Sequence, residues 1–456
     1  MNRGRTAPFS RLRDAYLTPS AIDPPTAAND SLPPLPWKSR SLNSIRHGGE
    51  VRLRLPNSSR GFPMSRALDD VIVLDLTRQF CASLSAAFLA DFGARVIRLD
   101  LPPVRESSGG SWNHEADLIH RNKESLALDP ASADGAELLR DLVAKADVIV
   151  TDWQRDELAA LGIDYDAAAA LRPDIVFGRI SGFGPQGPDA DLPPIDELAA
   201  ARTGMMPILP QPGQPPIYTG AGAMHATVML AFGVVTALLH RQGTGEGQAV
   251  DVSLFGANMY GAALDIQAFL AIGEGERFIT PISRLDVSNP MSGSLYPSAD
   301  GRWVTLTMPD TDRWWPVFSA AVGIAADDAR FDTHDKRTET NRLELIRELE
   351  AAFQREPGSH WRQVFQEKQM SADVIERFDY PANDPQVLAN RYILELDHPS
   401  FGAVKSLGFP IFLSDSPARL ERLAPCVGQH TAQILHELLA YPEDRIHALR
   451  AAGVVA

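Results

Sequence analysis

Apolar and polar positions along this chain repeat with two different periods, and the change from one to the other marks its elements. From Leu68 onward, short β-branched runs recur at Asp70–Leu76 (DVIVLDL), Arg95–Asp100 (RVIRLD), Ser125–Asp129 (SLALD), Asp147–Thr151 (DVIVT) and Asp174–Ile180 (DIVFGRI). Each has the length and residue types of a buried strand. Helical spacing separates them at Ala82–Phe92, which closes at Gly93, and at Ala133–Ala144. Strands alternating with helices predict βαβ units and a mostly parallel sheet covered on both faces, an α/β, Rossmann-like fold. The apolar run Met224 to Leu239 is unbroken by charge and apolar all round, the pattern of a helix buried in a large core. Its longest uninterrupted stretch, Ala226 to Leu239, is shorter than the ~20 residues that span a bilayer, so no membrane segment is expected. No GxGxxG follows the first strand, which argues against a nicotinamide dinucleotide.

Composition narrows the class further. The chain has 456 residues, 44% hydrophobic and 22% charged, consistent with a globular protein of two domains. Cys81 and Cys426 are its two cysteines, too few and too distant to build a disulfide framework or a metal site. The net charge of −15 conceals an asymmetry, because residues 1–63 carry ten Lys/Arg against four Asp/Glu. An acidic body argues against nucleic-acid and anionic-membrane partners. The first 65 residues are rich in Pro, Arg and Ser and lack a secretory apolar region, so a disordered extension is expected there. Met64 is an alternative start, and the cytoplasm is the expected location.

A series of blocks in fixed order carries a resemblance. They include VIVLDLTRQFCASLSAAFLADFGARVIRLD (71–100), NKESLALD (122–129), ADVIVTDW (146–153), PPIDELAAARTGMM (193–206), TGEGQAVDVSLFGA (244–257), DGRWVTLTM (300–308) and VGQHTAQILHEL (427–438). In these the chain resembles the family III CoA-transferases, with the related acyl-CoA racemases. The resemblance implies a large Rossmann-like domain over 66–286, a small α+β domain over 287–396, a C-terminal return over 397–456, and two protomers interlocked like chain rings. In that family a catalytic aspartate attacks an acyl-CoA thioester, forming a mixed anhydride and releasing CoA. CoA passes through further enzyme-bound intermediates to a second carboxylate, so one hard exchange becomes several easier ones. The CoA thioester is the substrate, and no metal or separate cofactor is implied.

The same resemblance isolates one position. The family's aspartate stands where the helix before the TGxGQ turn begins, and here that position is Ala223. A carboxylate at a helix start benefits from the positive end of the macrodipole and remains anionic far above its usual pKa of about 3.9; alanine offers no lone pair. Asp196 and Glu197 are the alternative carboxylates. Asp196 reads either as the cap of a helix beginning near Glu197 or as a relocated nucleophile. A racemase needs a histidine ahead of Asp196, where Ile195 stands, and no histidine lies between His120 and His225. That reading is disfavoured; His225 itself reads as a structural first-turn residue or a base. By position, Gln79, Phe80, Asp152, Trp153, Gly182 and Phe183 are the candidates to line CoA or the acyl substrate, with Arg78, Arg98 and Arg155 as possible phosphate partners. The expected role is an Asp-lacking subunit working as a homodimer or with an Asp-bearing homologue; a noncatalytic acyl-CoA-binding scaffold is the alternative.

Overall fold

The computed structural model describes residues 66–101, 112–272 and 283–456; the extension read over 1–65 lies outside the described residues. The chain forms two compact units, one containing residues 284–376 and the other residues between 64 and 283 together with 377–456. The boundary read at Leu396 falls inside a strand, Ile393–His398, that pairs antiparallel with Gly402–Leu407.

Six strands build the main sheet of the larger unit: β1 (Ile72–Leu76), β2 (Arg95–Asp100), β3 (Lys123–Ala127), β4 (Val148–Thr151), β5 (Val176–Ser181) and β6 (Gln248–Ser253). All are parallel, in the order β3-β2-β1-β4-β5-β6. The chain starts in the middle, winds one way, then crosses to the other side of β1, so the order reverses between β1 and β4. In open parallel sheets, ligands bind outside the carboxyl ends of the strands at such a reversal.

The period-2 alternation of the strands feeds two cores. On one face Val73, Val96, Val148, Val150 and Val176 pack against helices α1 (Phe80–Asp91), α7 (Ala221–Thr244) and α8 (Leu254–Gly261). Between α1 and α7 along the chain lie α2 (His114–Ile119), α3 (Ala133–Lys145), α4 (Arg155–Leu161), α5 (Tyr165–Leu171) and α6 (Asp196–Ala201). On the other face Leu74, Leu76, Ile97, Leu126 and Ile149 meet Leu138, Leu139 and Leu142 of α3, with Ile434, Leu435, Ile446 and Leu449 of the two C-terminal helices. α3 starts where it does because the Ser132 side chain accepts from Gly135 N–H, a normal N-cap. α7 crosses the sheet closely: a Cβ on Gly178 would come 2.9 Å from Val234, and one on Gly233 would come 2.7 Å from Val250.

α7 corrects the sequence reading. It runs 24 residues, and only Gly222, Ala226, Thr227, Leu230, Val234, Ala237 and Leu238 are buried. The opposite face, with Phe232 at 72% and Leu239 at 68% exposure, lies open. By length and composition α7 is long and apolar enough to cross a membrane, yet its buried stripe is committed to β5 and β6. The ten-residue helix α9 (Ala263–Ile272) is also apolar and has no buried residue.

The smaller unit is α+β. Strands β7 (Ser292–Pro297), β8 (Trp303–Thr307) and β9 (Ala372–Ile375) pair antiparallel. Their apolar face meets helices Thr311–Val322, Arg342–Phe353 and Gly358–Glu367 around Trp315, Phe318, Phe353, Trp361 and Phe365.

A buried ion pair lies under α1. Lys123 of β3 reaches across β2 to Asp75 of β1, Nζ to Oδ2 at 2.6 Å, with both side chains fully buried. Its remaining protons go to the Ser83 carbonyl at 2.8 Å and the Ser83 hydroxyl at 2.9 Å, while Thr77 Oγ1 donates to Asp75 Oδ1 at 2.6 Å. Burial pushes the ammonium down from its ordinary value and the Asp75 charge pulls it back. Removing one partner of such a pair leaves an uncompensated charge, at a cost of about 3–5 kcal/mol. Urea unfolding should therefore show Lys123→Met destabilised by roughly that amount, and the double variant Asp75→Leu/Lys123→Met destabilised much less. A loss in the double variant equal to the sum of the Lys123→Met and Asp75→Leu single losses would mean that the pair is not coupled.

Candidate active site

The reversal between β1 and β4 is where the first group of expected site residues meets. β1 ends into Thr77-Arg78-Gln79, and Gln79 is the N-cap of α1; β4 ends into Asp152-Trp153. Gln79 caps with its backbone alone, and Asp152 supplies the acceptor from across the crevice. Its carboxylate takes the Arg78 N–H at 3.0 and 2.9 Å and the Gln79 N–H at 2.5 Å. Burial raises the Asp152 carboxyl to about 6, against the lowering effect of those two N–H groups, with Asp75 adding a further rise. The carboxylate fills the anion-binding end of α1. Phe80 packs against Leu84 and Ile119. The Arg78 guanidinium lies 3.6 Å from the Trp153 ring centroid and 2.7 Å from Glu157. Trp153 Nε1 is buried and meets no acceptor among the described residues. Arg98 pairs with Asp100 at 2.8 Å, and Arg155 donates to the Pro185 carbonyl.

Hydrogen bonds stitch the start of α7 to the start of α1. Ser85 and Thr227 both donate to the Cys81 carbonyl, at 2.9 and 3.0 Å. Ser85 Oγ also lies 3.0 Å from the Thr227 carbonyl, and Thr227 Oγ1 reaches the Ala223 carbonyl at 3.0 Å. Ala223 is half-buried against the core of this face, one turn before Thr227. The preceding Gly222 has Asn258 of α8 directly on it: a Cβ there would fall 1.9 Å from Asn258 Nδ2. The same Nδ2 donates to Asp196 Oδ1 at 2.7 Å, and Tyr218 Oη donates to Asp196 Oδ2 at 2.7 Å. One side chain thus links Asp196 to the turn that carries Ala223.

This geometry overturns the reading of Asp196 as a helix cap. Ile195 is the N-cap of α6, no side chain caps it, and Asp196 is the first helical residue. Its two oxygens point to Tyr218 and Asn258 instead. Burial and the Asp196 hydrogen bond push the Tyr218 phenol up, so it is a donor at neutral pH. Cys81 lies within the field of Asp152 and Asp196; burial, then Asp152, raise its thiol to about 12. It is therefore not a thiolate at neutral pH.

The glycine turn after β5 closes one side. A Cβ on Gly182 would meet the Pro193 carbonyl at 2.7 Å, so the loop leading to Asp196 approaches closer than any larger residue permits. Phe183 stacks with Phe255 at 5.8 Å, and Arg202 lies over both rings, at 4.7 and 5.4 Å, while pairing with Asp189 at 2.6 Å. Tyr218 and Asn258 were not among the expected residues. Tyr218 lies in an aperiodic Pro/Gly-rich stretch, and Asn258 is one residue past the block that ends at Ala257.

A parallel α/β sheet with its crevice at the strand-order reversal, and a long apolar helix starting beside it, define the class. The chain belongs to CoA-transferase family III, whose pattern it matches over residues 68–431, and is therefore an acyl-CoA transferase-class protein. It is 29% identical to the cinnamoyl-CoA:phenyllactate CoA-transferase of Clostridium sporogenes, covering 83% of this chain and 95% of that one. It is 28% identical to the human succinyl-CoA:glutarate CoA-transferase, covering 86% and 90%. A CAIB/BAIF family protein from Brucella suis superposes with a TM-score of 0.70 at 26% identity, over 82% of this chain and all of that one.

The Asp152 shift has a definite sign. Its folded value of about 6 lies above the ordinary value of 3.8, so this group favours the fold most fully below pH 3.8. That contribution is lost as pH rises through 6. At about 1.4 kcal/mol per unit, the loss is about 3 kcal/mol. Chemical denaturation at pH 4 and pH 7.5 should show the unfolding free energy of wild type minus that of Asp152→Asn falling by that order across the interval. A flat difference would place the carboxyl at its ordinary value.

Proposed function

We propose that this chain binds an acyl-CoA beside Ala223 and serves as the Asp-lacking subunit of a transferase moving CoA between carboxylic acids. A second, Asp-bearing chain contributes the nucleophilic carboxylate. The observation that supports the reading is the start of α7: Ala223 carries a methyl group where the resemblance places the family's carboxylate, and Gly222, Asn258, Asp196 and Tyr218 around it are in contact or hydrogen-bonded.

In the complete transferase, a carboxylate oxygen attacks the thioester carbonyl, the C–S bond breaks, and CoA leaves as its thiolate. The thiolate then attacks the aspartyl carbonyl of the anhydride, releasing the donor acid and leaving an enzyme thioester. The acceptor acid repeats the sequence in reverse. Charge develops on the carbonyl oxygen at each addition, and preorganised donors stabilise it. Of the residues here, Gln79, Phe80 and Trp153 suit the walls of the adenine or pantetheine groove. Trp153 Nε1 is a donor awaiting an acceptor. Asp152 acts by holding the α1 entry, and Gly182-Phe183 brings the loop close to the thioester.

A partner is supported by the open apolar faces. Leu264 at 70% and Tyr260 at 73% exposure, beside Phe232 and Leu239, exceed what scattered surface residues account for. A homodimer or heterodimer covering α7 to α9 accounts for them. Light scattering at micromolar concentration should give a dimer, and Phe232→Asp/Leu264→Asp should dissociate it; a monomeric wild type contradicts this.

Isotope exchange between acyl-CoAs and labelled free acids tests the catalytic role. The purified chain alone should be silent, and co-expression with an Asp-bearing homologue should give exchange. Ala223→Asp should raise exchange by the chain alone at least a hundredfold above background. Exchange by wild type alone, lost in Asp196→Asn, would make Asp196 the nucleophile. Silence in every setting, Ala223→Asp included, would leave a binding scaffold.

A further inference from the structure

Beside Ala223 a small cavity of about 40 Å³ opens, and its wall bears on the acyl group. Met205, Met206, Leu209 and Ile217 form the apolar side; Tyr218 and Asn258 form the polar side. Gly222 and His225, which flank Ala223, complete it on α7. No Lys or Arg lines it among the described residues. His225 is the one lining group able to carry positive charge, and its ring is packed within 3.0 Å of where a Cβ on Gly261 would stand. The nearest arginine along the chain, Arg202, is held by Asp189 and stacked on Phe183.

The charge behind the wall is negative. Tyr218 and Asn258 both give a proton to Asp196 at 2.7 Å, and both the Asp196 and Glu197 charges act on the Tyr218 phenol. A second carboxylate on the acyl group would enter a pocket that no Lys or Arg lines among the described residues, facing an existing anion. Burying an unpaired carboxylate is costly, and a like charge nearby adds to the cost. An alkyl or aryl end meets the side formed by Met205, Met206, Leu209 and Ile217; the unbranched methionines adapt to its shape.

We infer that this pocket takes the acyl end of the thioester and selects uncharged monocarboxylic acyl groups against dicarboxylic ones. The inference rests on the reading that the chain binds acyl-CoA beside Ala223, and it deepens that reading by naming the substrate class. Leu209 and Ile217, both exposed at the rim, are its specificity positions.

The test is calorimetric titration of the full chain with free CoA, butyryl-CoA and succinyl-CoA. The two thioesters share a four-carbon length and differ in a terminal methyl against a carboxylate. Butyryl-CoA should bind at least tenfold more tightly than succinyl-CoA. Leu209→Arg, and separately Ile217→Arg, should each narrow or reverse that ratio while leaving free CoA affinity unchanged. Equal affinities, or tighter succinyl-CoA, would overturn the selection. A butyryl preference unaltered in both arginine variants would overturn its assignment to this pocket. Failure of all three probes to bind would instead overturn the acyl-CoA reading itself, which separates the two failures.

Discussion

The Lys123–Asp75 pair under α1 is the interaction on which the placement of the site depends. It draws β3 toward β1 across the intervening strand and uses its remaining protons on Ser83, so it fixes the first turns of α1 from below. From above, Asp152 fixes the same helix by accepting the Arg78 and Gln79 N–H groups. With α1 held at both levels, its Cys81 carbonyl becomes a fixed acceptor for Ser85 and Thr227, and Thr227 positions the turn that bears Ala223. A charge buried in the sheet is thus linked, through two helices, to the turn that carries Ala223.

That arrangement gathers negative charge around a site with little positive charge to answer it. Burial first, with Asp152 and then Asp196 adding to it, keeps the Cys81 thiol neutral; burial likewise raises the Asp152 carboxyl. Their oxygens are satisfied by backbone N–H groups, a phenol and an amide. The cations nearby are already engaged, Arg78 with Glu157 and Arg202 with Asp189. Both oxygens of Asp196 are engaged beside the Ala223 methyl group, which is why a second chain is central to the proposed reaction.

Much of the fold was legible because the strands of a doubly covered sheet are continuous apolar runs. β2 has the bounds read from RVIRLD, and the other four lie within a few residues of theirs. β6 was missed because QAVDVS alternates weakly at the sheet edge. α7 was legible as a helix but not in its burial: hydrophobicity alone cannot distinguish a face against the chain's own core from one awaiting another molecule. Gln79 and Asp152 were named by position, and the structure brings them together at the strand-order reversal. Asp196 was named too, but its partners were not, because Tyr218 lies 22 residues and Asn258 lies 62 residues away along the chain. No local pattern encodes such contacts.

The central claim is that the carboxylate forming the covalent intermediate does not belong to this chain. Hydroxylamine trapping during turnover with an Asp-bearing homologue, followed by peptide mapping of both chains, tests it directly. The account predicts a hydroxamate on the homologue's aspartate and unmodified Asp196 and Glu197 here. A hydroxamate on the peptide carrying Asp196 would contradict it and return the nucleophile to this chain.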